Sequence, residues 1–198
     1  MRNHHQESGQ AVLSDAKLLT QLQAGDDASF EALFLRHYDR IYHILYRLLG
    51  HQADAEDVAQ QVFLKLYHLP CRVRLQGTEV NVAGWLYRVA VNLGYNMLRS
   101  QKREQARREK RGRWWLPASS LPDPAEMTES KDLQGRVRRV LAELKPRDAK
   151  LLVLRHSGLS YRELAVALDL SPGSIGSLLT RAERAFAKRY RLAYPDKD

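Results

Sequence analysis

The sequence predicts an all-α protein made of two small helical domains joined by a flexible linker. Apolar residues recur at spacings of three and four along nearly the whole chain, which is the periodicity of amphipathic helices. Strand patterns are weak everywhere. Residues 114–130 hold three prolines among small and polar residues, a composition typical of a linker. With 198 residues, the chain provides one or two domains at the usual size of roughly 150 residues each.

The first segment, residues 1–25, is predicted to be an N-terminal extension that carries one short helix. Ser14 has the side chain of a helix N-cap, and Gly25 is a residue at which helices commonly end. Residues 1–13 have no assigned role in this interpretation.

Residues 26–113 are predicted to form the first helical domain, which begins with a long amphipathic helix. Asp26 or Asp27 can cap this helix, and Gly50 ends it. The next helix is predicted to have Asp54 as its N-cap. Asp57, three residues later, would interact favourably with the positive end of the helix dipole.

The fourth predicted helix runs from about Asn81 into the basic segment 99–113, and residues 70–80 before it are expected to form a loop. Gly84 and Gly94 lie inside this helix, where each glycine costs up to about 1 kcal/mol. They therefore predict close helix packing or local exposure of the backbone.

Residues 131–194 are predicted to form the second domain. Its four expected helices span about 131–144, from Pro146 to Gly158, from the N-cap Ser160 to about Leu168, and from the pair Ser171 and Pro172 to about Tyr190. The last two are joined by a tight turn at Asp169–Leu170, a helix-turn-helix pattern in which the second helix commonly contacts DNA. The alternative is an ordinary helical hairpin within a bundle.

The excess positive charge is concentrated in two blocks. The chain has 32 Lys and Arg against 23 Asp and Glu, a net charge of +9. Segments 99–113 and 145–191 each carry a net charge of +6, with 8 basic and 2 acidic residues in the first and 10 and 4 in the second. Such blocks point to a polyanionic partner rather than to a uniformly basic surface.

Several classes of protein are excluded by what the sequence lacks. The one cysteine, Cys71, rules out an internal disulfide framework and a multi-cysteine zinc site, and we interpret it as incidental rather than as a redox sensor. No apolar run approaches the roughly 18 residues of a membrane span, and the N-terminus lacks a signal-peptide pattern. No membrane insertion and a cytoplasmic location are therefore expected.

Catalysis is not expected either. The seven histidines are scattered, and His51 with Asp54 and Asp57 matches no standard ligand spacing. Neither a nucleotide-binding glycine loop nor a nucleophile elbow is present. The sequence therefore predicts no metal, no cofactor and no small-molecule substrate.

Three segments, in order along the chain, resemble a known family. The first, residues 54–67, is similar to a polymerase-binding segment and reads DAEDVAQQVFLKLY. The second, residues 84–103, is similar to a promoter-melting helix and reads GWLYRVAVNLGYNMLRSQKR. The third, residues 144–179, is similar to a region 4 and reads LKPRDAKLLVLRHSGLSYRELAVALDLSPGSIGSLL. Together they resemble a bacterial RNA polymerase sigma factor of the sigma-70 family, extracytoplasmic-function (ECF) group. The resemblance implies a helical region 2, a linker and a helix-turn-helix region 4. It implies core RNA polymerase and promoter DNA as partners, with an anti-sigma factor as a further candidate.

By this resemblance, the start of the third helix faces the clamp helices of the largest polymerase subunit. The residues assigned to polymerase binding are Asp54, Glu56, Asp57, Gln60 and Gln61. N-capping and a solvated acidic helix start explain the same residues without a partner, and both explanations can hold together. An acidic and amide face can orient a basic partner surface and speed its association.

Promoter opening needs a basic track for phosphates and aromatic surfaces for unstacked bases. The resemblance assigns the minus-10 element to Arg72, Arg74, Trp85, Arg88, Asn92, Tyr95, Arg99, Lys102 and Arg103. The loop 70–80 corresponds to the family's pocket for a flipped base. Trp85 and Tyr87 are the aromatic candidates, although Trp85 is equally suited to core packing.

The last helix is implied to read the minus-35 element. The assigned residues are Arg162, Ser171, Ser174, Ser177, Thr180, Arg181 and Arg184. The family pattern has basic residues near the positions of Gly176, Leu178 and Glu183, so weaker or altered minus-35 recognition is expected. The basic segment 99–113 either compensates for this loss or is a solvated helix end.

Two further questions have alternative answers. Trp114, Trp115 and Leu116 form an apolar cluster in the linker, which either docks on a partner or folds back on a domain; in the family this segment threads toward the polymerase active-site cleft. The protein as a whole could instead be a stand-alone helix-turn-helix regulator, with residues 1–113 for sensing or dimerisation. It could also be a module that binds polymerase without DNA specificity.

Overall fold

The computed structural model describes residues 13–69, 81–111 and 129–195. Every regular element in these ranges is helical, which confirms the predicted all-α class. The helices are α1 (Asp15–Gln23), α2 (Asp27–Leu49), α3 (Gln52–Tyr67), α4 (Val82–Arg111), α5 (Glu129–Leu141), α6 (Pro146–His156), α7 (Tyr161–Leu168) and α8 (Ile175–Ala193). None of these helices is both long enough and apolar enough to cross a membrane.

Helices α1 to α4, here called the N-terminal bundle, pack around α2. The fully buried side chains of this bundle include Leu33, Ile41, Ile44, Leu45, Leu48, Val62, Leu66 and Leu86. Gly94 lies where α4 crosses α2, and a β-carbon there would come within 2.9 Å of the Cδ2 atoms of Leu45 and Leu48. Close helix packing therefore explains this interior glycine.

The predicted caps of the first two helices are confirmed. Ser14 Oγ accepts a hydrogen bond from the backbone N–H of Lys17 at 3.4 Å, and Asp26 Oδ1 accepts one from that of Ala28 at 3.2 Å. Gly50 follows α2 with a φ of +73°, a left-handed conformation that glycine adopts without steric cost.

The prediction that Asp54 caps the third helix is wrong. The helix α3 begins at Gln52, and its N-cap, His51, makes no side-chain capping bond. Asp54 is the third residue inside the helix, and its carboxylate accepts a hydrogen bond from Gln101 Nε2 at 2.8 Å. An acidic side chain anywhere in the first turn interacts favourably with the dipole, so it marks a helix start without identifying the cap.

Helices α5 to α8, here called the C-terminal group, follow most of the predicted boundaries. Pro146 is the first residue of α6, and Gly158 follows that helix with a φ of +88°. Ser160 and Glu163 form a reciprocal capping box at the start of α7. The helix α5 begins and ends two to three residues before the predicted 131–144.

The start of the last helix differs from the prediction. Pro172–Ser174 form a 3-10 turn, α8 begins only at Ile175, and Ser171 makes no side-chain capping bond. Proline lacks an N–H and glycine has a low helix propensity, so the segment Pro172-Gly173 makes a tight turn before the regular helix starts. Asp169, in the turn after α7, has a φ of 56°.

The two halves of the chain pack against each other, chiefly through α4 against α6 and α7. Their buried apolar side chains form one continuous cluster. The C-terminal group is therefore docked on the N-terminal bundle rather than separated from it.

Several sequence predictions lie outside the described residues. They concern most of the segment 1–13, the loop 70–80 with Cys71, Arg72 and Arg74, and the linker cluster of Trp114, Trp115 and Leu116.

Candidate functional site

Three of the residues assigned to polymerase binding share one exposed face of α3. Asp57, Gln60 and Gln61 lie on the side opposite the buried stripe of this helix. Asp54 and Glu56 flank this face, the first half-buried and the second exposed. Exposed carboxylate and amide groups on one surface suit a basic partner, because complementary charge guides association.

Leu64 belongs to the same face and was missed by sequence reasoning. It lies among Asp57, Gln60 and Gln61 on α3, and 49% of its surface is exposed. An exposed apolar side chain within a polar rim is typical of an interaction surface. The available signal was its position, since Leu64 stands outside the apolar stripe that Val62 and its partners form. We call Asp57, Gln60, Gln61 and Leu64 the α3 face.

The described minus-10 candidates lie on one side of α4. They are Trp85, Arg88, Asn92, Tyr95, Arg99, Lys102 and Arg103, here called the α4 stripe. A helical rotation of about 100° per residue places all seven within one sector of the helix. Arg99 and Arg103 are exposed, whereas Trp85 is half-buried and packs against the apolar cluster.

Arg88 is bound by the C-terminal group. Its Nε donates a hydrogen bond to the carbonyl oxygen of Ala167 at 3.0 Å, and its Nη2 donates one to that of Val166 at 2.7 Å. These carbonyls belong to the last turn of α7, where backbone acceptors lack partners in the helix and carry the negative end of its dipole. The guanidinium of Arg88 therefore caps α7.

Tyr95 and Asn92 also contact the C-terminal group. The hydroxyl of Tyr95, a residue only 1% exposed, donates to the carbonyl oxygen of Leu144 at 2.7 Å. Burial raises the pKa of Tyr95, although Arg99 acts in the opposite direction. Lys150 Nζ donates to Asn92 Oδ1 at 2.5 Å, and burial lowers the pKa of Lys150.

A carboxylate of the C-terminal group lies among the basic residues at the end of the α4 stripe. Glu143 Oε1 is 2.6 Å from Lys102 Nζ, and its Oε2 is 3.3 Å from Arg189 Nη1 on α8. Together with Arg99 and Arg103, these residues line an open groove of about 490 Å³. Glu143 therefore occupies a position in which a nucleic-acid phosphate could also pair with these cations.

Tyr87 does not present a surface for a base in this structure, contrary to the expectation. It is 2% exposed, and the guanidinium carbon of Arg40 lies 5.0 Å from its ring centroid. Arg40 also pairs with Glu163 of α7, with 3.3 Å between Nη2 and Oε1. Burial by itself would raise the pKa of Glu163, but hydrogen bonds from Ser160 and Arg40 bring it below its usual value.

The minus-35 candidates on α8 lie on the side opposite its buried residues. Ser177, Thr180, Arg181 and Arg184 are all exposed, and we call them the α8 face. The hydroxyls of Ser177 and Thr180 donate to backbone carbonyls within their own segment, at 3.0 and 3.1 Å, which leaves their oxygens free to accept. Arg162 and Ser171 are also exposed, and Ser174 is half-buried.

The three positions that depart from the family pattern flank this face. Rotation of about 100° per residue places Gly176, Leu178 and Glu183 between the α8 face and the buried side of the helix. Leu178 packs against the apolar cluster, and Glu183 lines an apolar groove together with Phe186. The centre of the exposed face therefore keeps its hydroxyl and guanidinium groups.

Two family models match the chain in the order of its two halves. Sigma-70 region 2 matches residues 33–104, and Sigma-70, region 4 matches residues 134–186. The chain belongs to the ECF group of the sigma-70 family. This sigma factor is a transcription initiation factor and not an enzyme; it directs RNA polymerase to promoters through regions 2 and 4.

Relatives of known identity support this membership. "ECF RNA polymerase sigma factor SigE" of Mycolicibacterium smegmatis is 30% identical over 164 residues, which cover 81% of this chain and 62% of that protein. "ECF RNA polymerase sigma-E factor" of Escherichia coli K12 is 29% identical over 185 residues, which cover 87% of this chain and 92% of that protein. The chain thus spans less than two thirds of the first relative and nearly all of the second.

A solved structure shares the fold. The structure of CnrH in complex with the cytosolic domain of CnrY matches 91% of this chain and 99% of its own, with a TM-score of 0.59 and 18% identity.

Proposed function

We propose that this sigma factor uses three separate faces during initiation. The α3 face binds core polymerase, the α4 stripe and the loop 70–80 capture the minus-10 element, and the α8 face reads the minus-35 element. The region 2 domain spans 26–113 after the extension 1–25, and the linker 114–130 joins it to the region 4 domain 131–194. The protein acts in the cytoplasm, and an anti-sigma factor is a further proposed partner.

The observation that carries this proposal is the placement of the three predicted sets. The members of each named face lie on one side of one helix; those of the α3 face and the α8 face are exposed, whereas the α4 stripe faces the C-terminal group and includes the buried Tyr95. The sets also follow one another along the chain in the order in which the family uses them.

Melting needs no covalent chemistry in this scheme. A basic stripe binds the phosphates of either DNA form, whereas stacking surfaces bind only unpaired bases. A protein that binds the unpaired strand more tightly shifts the equilibrium toward open DNA. Arg99, Lys102 and Arg103 supply the charge for this binding. Tyr95 is the aromatic residue of the stripe nearest to them and is buried in this structure, whereas Trp85, further along the stripe, is half-buried.

Minus-35 recognition is divided between two kinds of side chain on α8. Arg181 and Arg184 are suited to phosphates or to guanine edges, because a guanidinium donates in a planar fork. Ser177 and Thr180 can hydrogen-bond to base edges or to the backbone. The short polar side chains allow close approach of the helix to the major groove.

The decisive experiment is run-off transcription with purified core polymerase on a library of genomic fragments, with and without the protein. We expect discrete new start sites that share upstream elements. Stable polymerase binding without new starts would instead support an interaction module. Protection of a palindromic site by the protein without polymerase would support a stand-alone regulator.

The polymerase interface is tested by reversing one charge on the α3 face. Asp57→Arg should weaken binding to core polymerase by about tenfold or more, because like charges facing each other at an interface cost several kcal/mol. Asp39→Arg on the exposed surface of α2 is the matched control, and it should bind as the wild type. Equal affinities of the two variants would show that the interface assignment is wrong.

A further inference from the structure

The surface that the C-terminal group presents to α4 carries backbone hydrogen-bond acceptors and one carboxylate, together with one donor, the Lys150 ammonium group that binds Asn92 Oδ1. Arg88 binds two carbonyl oxygens of α7, Tyr95 binds the carbonyl oxygen of Leu144, and Lys102 binds the carboxylate of Glu143. DNA offers the same kind of groups, since its backbone presents anionic oxygens. The C-terminal group therefore satisfies the donors that the α4 stripe would use on promoter DNA.

Close approach of the two halves depends on a glycine. Gly84 of α4 is buried, and a β-carbon at this position would lie 2.6 Å from Cγ1 of Val166 on α7. Any larger residue must push α7 away from α4, because a valine methyl cannot retreat far from its own backbone. Gly84 thus has a packing role between the two halves, whereas Gly94 has a packing role inside the N-terminal bundle.

The docked arrangement also conflicts with binding both promoter elements at once. By their names, the minus-10 and minus-35 elements lie about 25 base pairs apart, which is about 85 Å at 3.4 Å per base pair. Here Arg88 hydrogen-bonds to α7, the helix that directly precedes α8. The α4 stripe and the α8 face are therefore much too close together to occupy the two elements.

We propose that the C-terminal group acts as an internal inhibitor that covers the α4 stripe until the two halves separate. In the closed state, Arg88, Asn92, Tyr95 and Lys102 bind the chain's own C-terminal group. In the open state, the same side chains are free for the unpaired minus-10 strand. This inference rests on the proposed role of the α4 stripe, and it adds a regulation of that same surface.

The test opens the protein by a substitution outside both proposed DNA surfaces. Gly84→Ala places a methyl group against Val166, while alanine's higher helix propensity supports α4 itself. The double variant with Val166→Ala removes the clash with the valine methyl, leaves the 3.0 Å contact with Asn81 Oδ1 within α4's own N-terminus, and should close again. Gly135→Ala is the matched control, because a β-carbon there meets nothing within 4 Å.

Each full-length variant is measured in two ways: by X-ray scattering, for the radius of gyration, and by fluorescence anisotropy with a labelled single-stranded DNA of random sequence. Gly84→Ala should have a larger radius and an apparent affinity about tenfold higher, because apparent affinity scales with the binding-competent fraction. The double variant and Gly135→Ala should resemble the wild type. If Gly84→Ala has a larger radius but the single-strand affinity of the wild type, the C-terminal group does not inhibit DNA binding. If its radius is not larger, the contact between Gly84 and Val166 does not hold the two halves together.

A second variant covers the case in which Gly84→Ala fails to fold. Glu143 is an exposed carboxylate that pairs with Lys102 and Arg189. Glu143→Arg puts a positive charge beside these two cations, and it should also raise the affinity for single-stranded DNA. Glu31→Arg on the exposed surface of α2 is its charge-matched control. If Glu143→Arg raises affinity no more than Glu31→Arg, the inhibition is refuted.

Failure of the inhibition is distinguished from failure of the proposed function in the holoenzyme. Run-off transcription is compared for the wild type and for Arg99→Ala/Arg103→Ala. If those arginines are needed for start-site opening but Gly84→Ala does not change single-strand binding, only the proposal of internal inhibition is refuted. If the holoenzyme does not need them, the assignment of the α4 stripe falls as well.

Discussion

The α4 stripe and the α8 face are both assigned to DNA, yet they differ in what they contact. Four side chains of the α4 stripe bind the C-terminal group. All four side chains of the α8 face are exposed, and their only hydrogen bonds described here are to carbonyls of their own segment. One surface is already occupied within the chain, whereas the other is accessible as folded.

This difference separates two steps that a sigma factor must perform. The α8 face would act on double-stranded DNA, whose groove edges are accessible from the start. The α4 stripe would act on a strand that is exposed only after melting begins. The surface that closure covers, the α4 stripe, is the one with little sequence selectivity, because stacking and phosphate contacts tolerate most sequences.

The largest expected effect comes from making closure permanent. The variant Gly84→Cys/Val166→Cys, made in a Cys71→Ser background, places two thiols at the contact between the halves. A β-carbon at position 84 lies 2.6 Å from a γ-carbon of Val166. This close approach suits a disulfide, which needs β-carbons about 3.5–4.5 Å apart. The oxidised protein should lose single-strand binding and holoenzyme transcription by about 100-fold, because open states no longer form. Its affinity for duplex minus-35 DNA should stay the same.

The measurement compares oxidised and reduced forms of that one protein, with either single-cysteine variant as the control. Full transcription by the oxidised form would contradict the need for opening. Equal loss of duplex and single-strand binding would contradict the difference between the two surfaces.

A smaller effect is expected from the accessible surface. Arg181→Ala/Arg184→Ala should reduce the slope of log K against log salt for duplex binding by about two, since each lost phosphate contact removes about one. Holoenzyme binding to a mapped promoter at several salt concentrations measures this slope. Arg191→Ala, on the same helix but beyond the α8 face, is the comparison, and an equal slope for the two would remove the α8 face from DNA binding.

Tyr95→Phe tests a single hydrogen bond of the closed contact. It removes the bond from Tyr95 to the carbonyl oxygen of Leu144, and a typical hydrogen bond contributes about 1 kcal/mol. The open fraction should therefore increase about fivefold, read as tighter single-strand binding in anisotropy. Tyr161→Phe, with an exposed ring, should have no such effect; weaker binding by Tyr95→Phe would mean that the hydroxyl serves DNA instead.

The smallest expected effect is a dependence on pH through Glu163. Its pKa is lowered in the folded protein, so the stability that it contributes is present above its unfolded value and is lost as the pH falls through the folded value. Below about pH 4.5, the capping box and the pair with Arg40 should weaken, and the radius of gyration should rise. The variant Glu163→Gln should lack this transition, and a persisting transition would assign it to another carboxylate.

The sequence predicted the helices and most of their ends, because caps, prolines and glycines act locally. It could not predict the contact between Gly84 and Val166, since a glycine in a helix signals close approach without naming the partner. The two interior glycines of α4 look alike in the sequence and pack against different halves.

The candidate sites were predictable as helix faces and less so as single residues. The resemblance identified the residues of the α8 face, but Leu64 was overlooked because only charged and amide side chains of the third helix were assigned to polymerase binding. Tyr87 contacts Arg40 and Tyr95 contacts Leu144, in both cases a residue that lies far away in the sequence. Long-range contacts of this kind leave no periodic signal.

The acceptors that meet Arg88 and Tyr95 are main-chain carbonyls, and this has an evolutionary consequence. Every residue type carries the same carbonyl, so these positions can change identity without losing their side of the hydrogen bond. Selection for the closed contact would act on the donors of α4 and on small residues at the crossing. Covariation between the halves would then be weak at Arg88 and Tyr95, and strongest at the side-chain pair of Lys102 and Glu143.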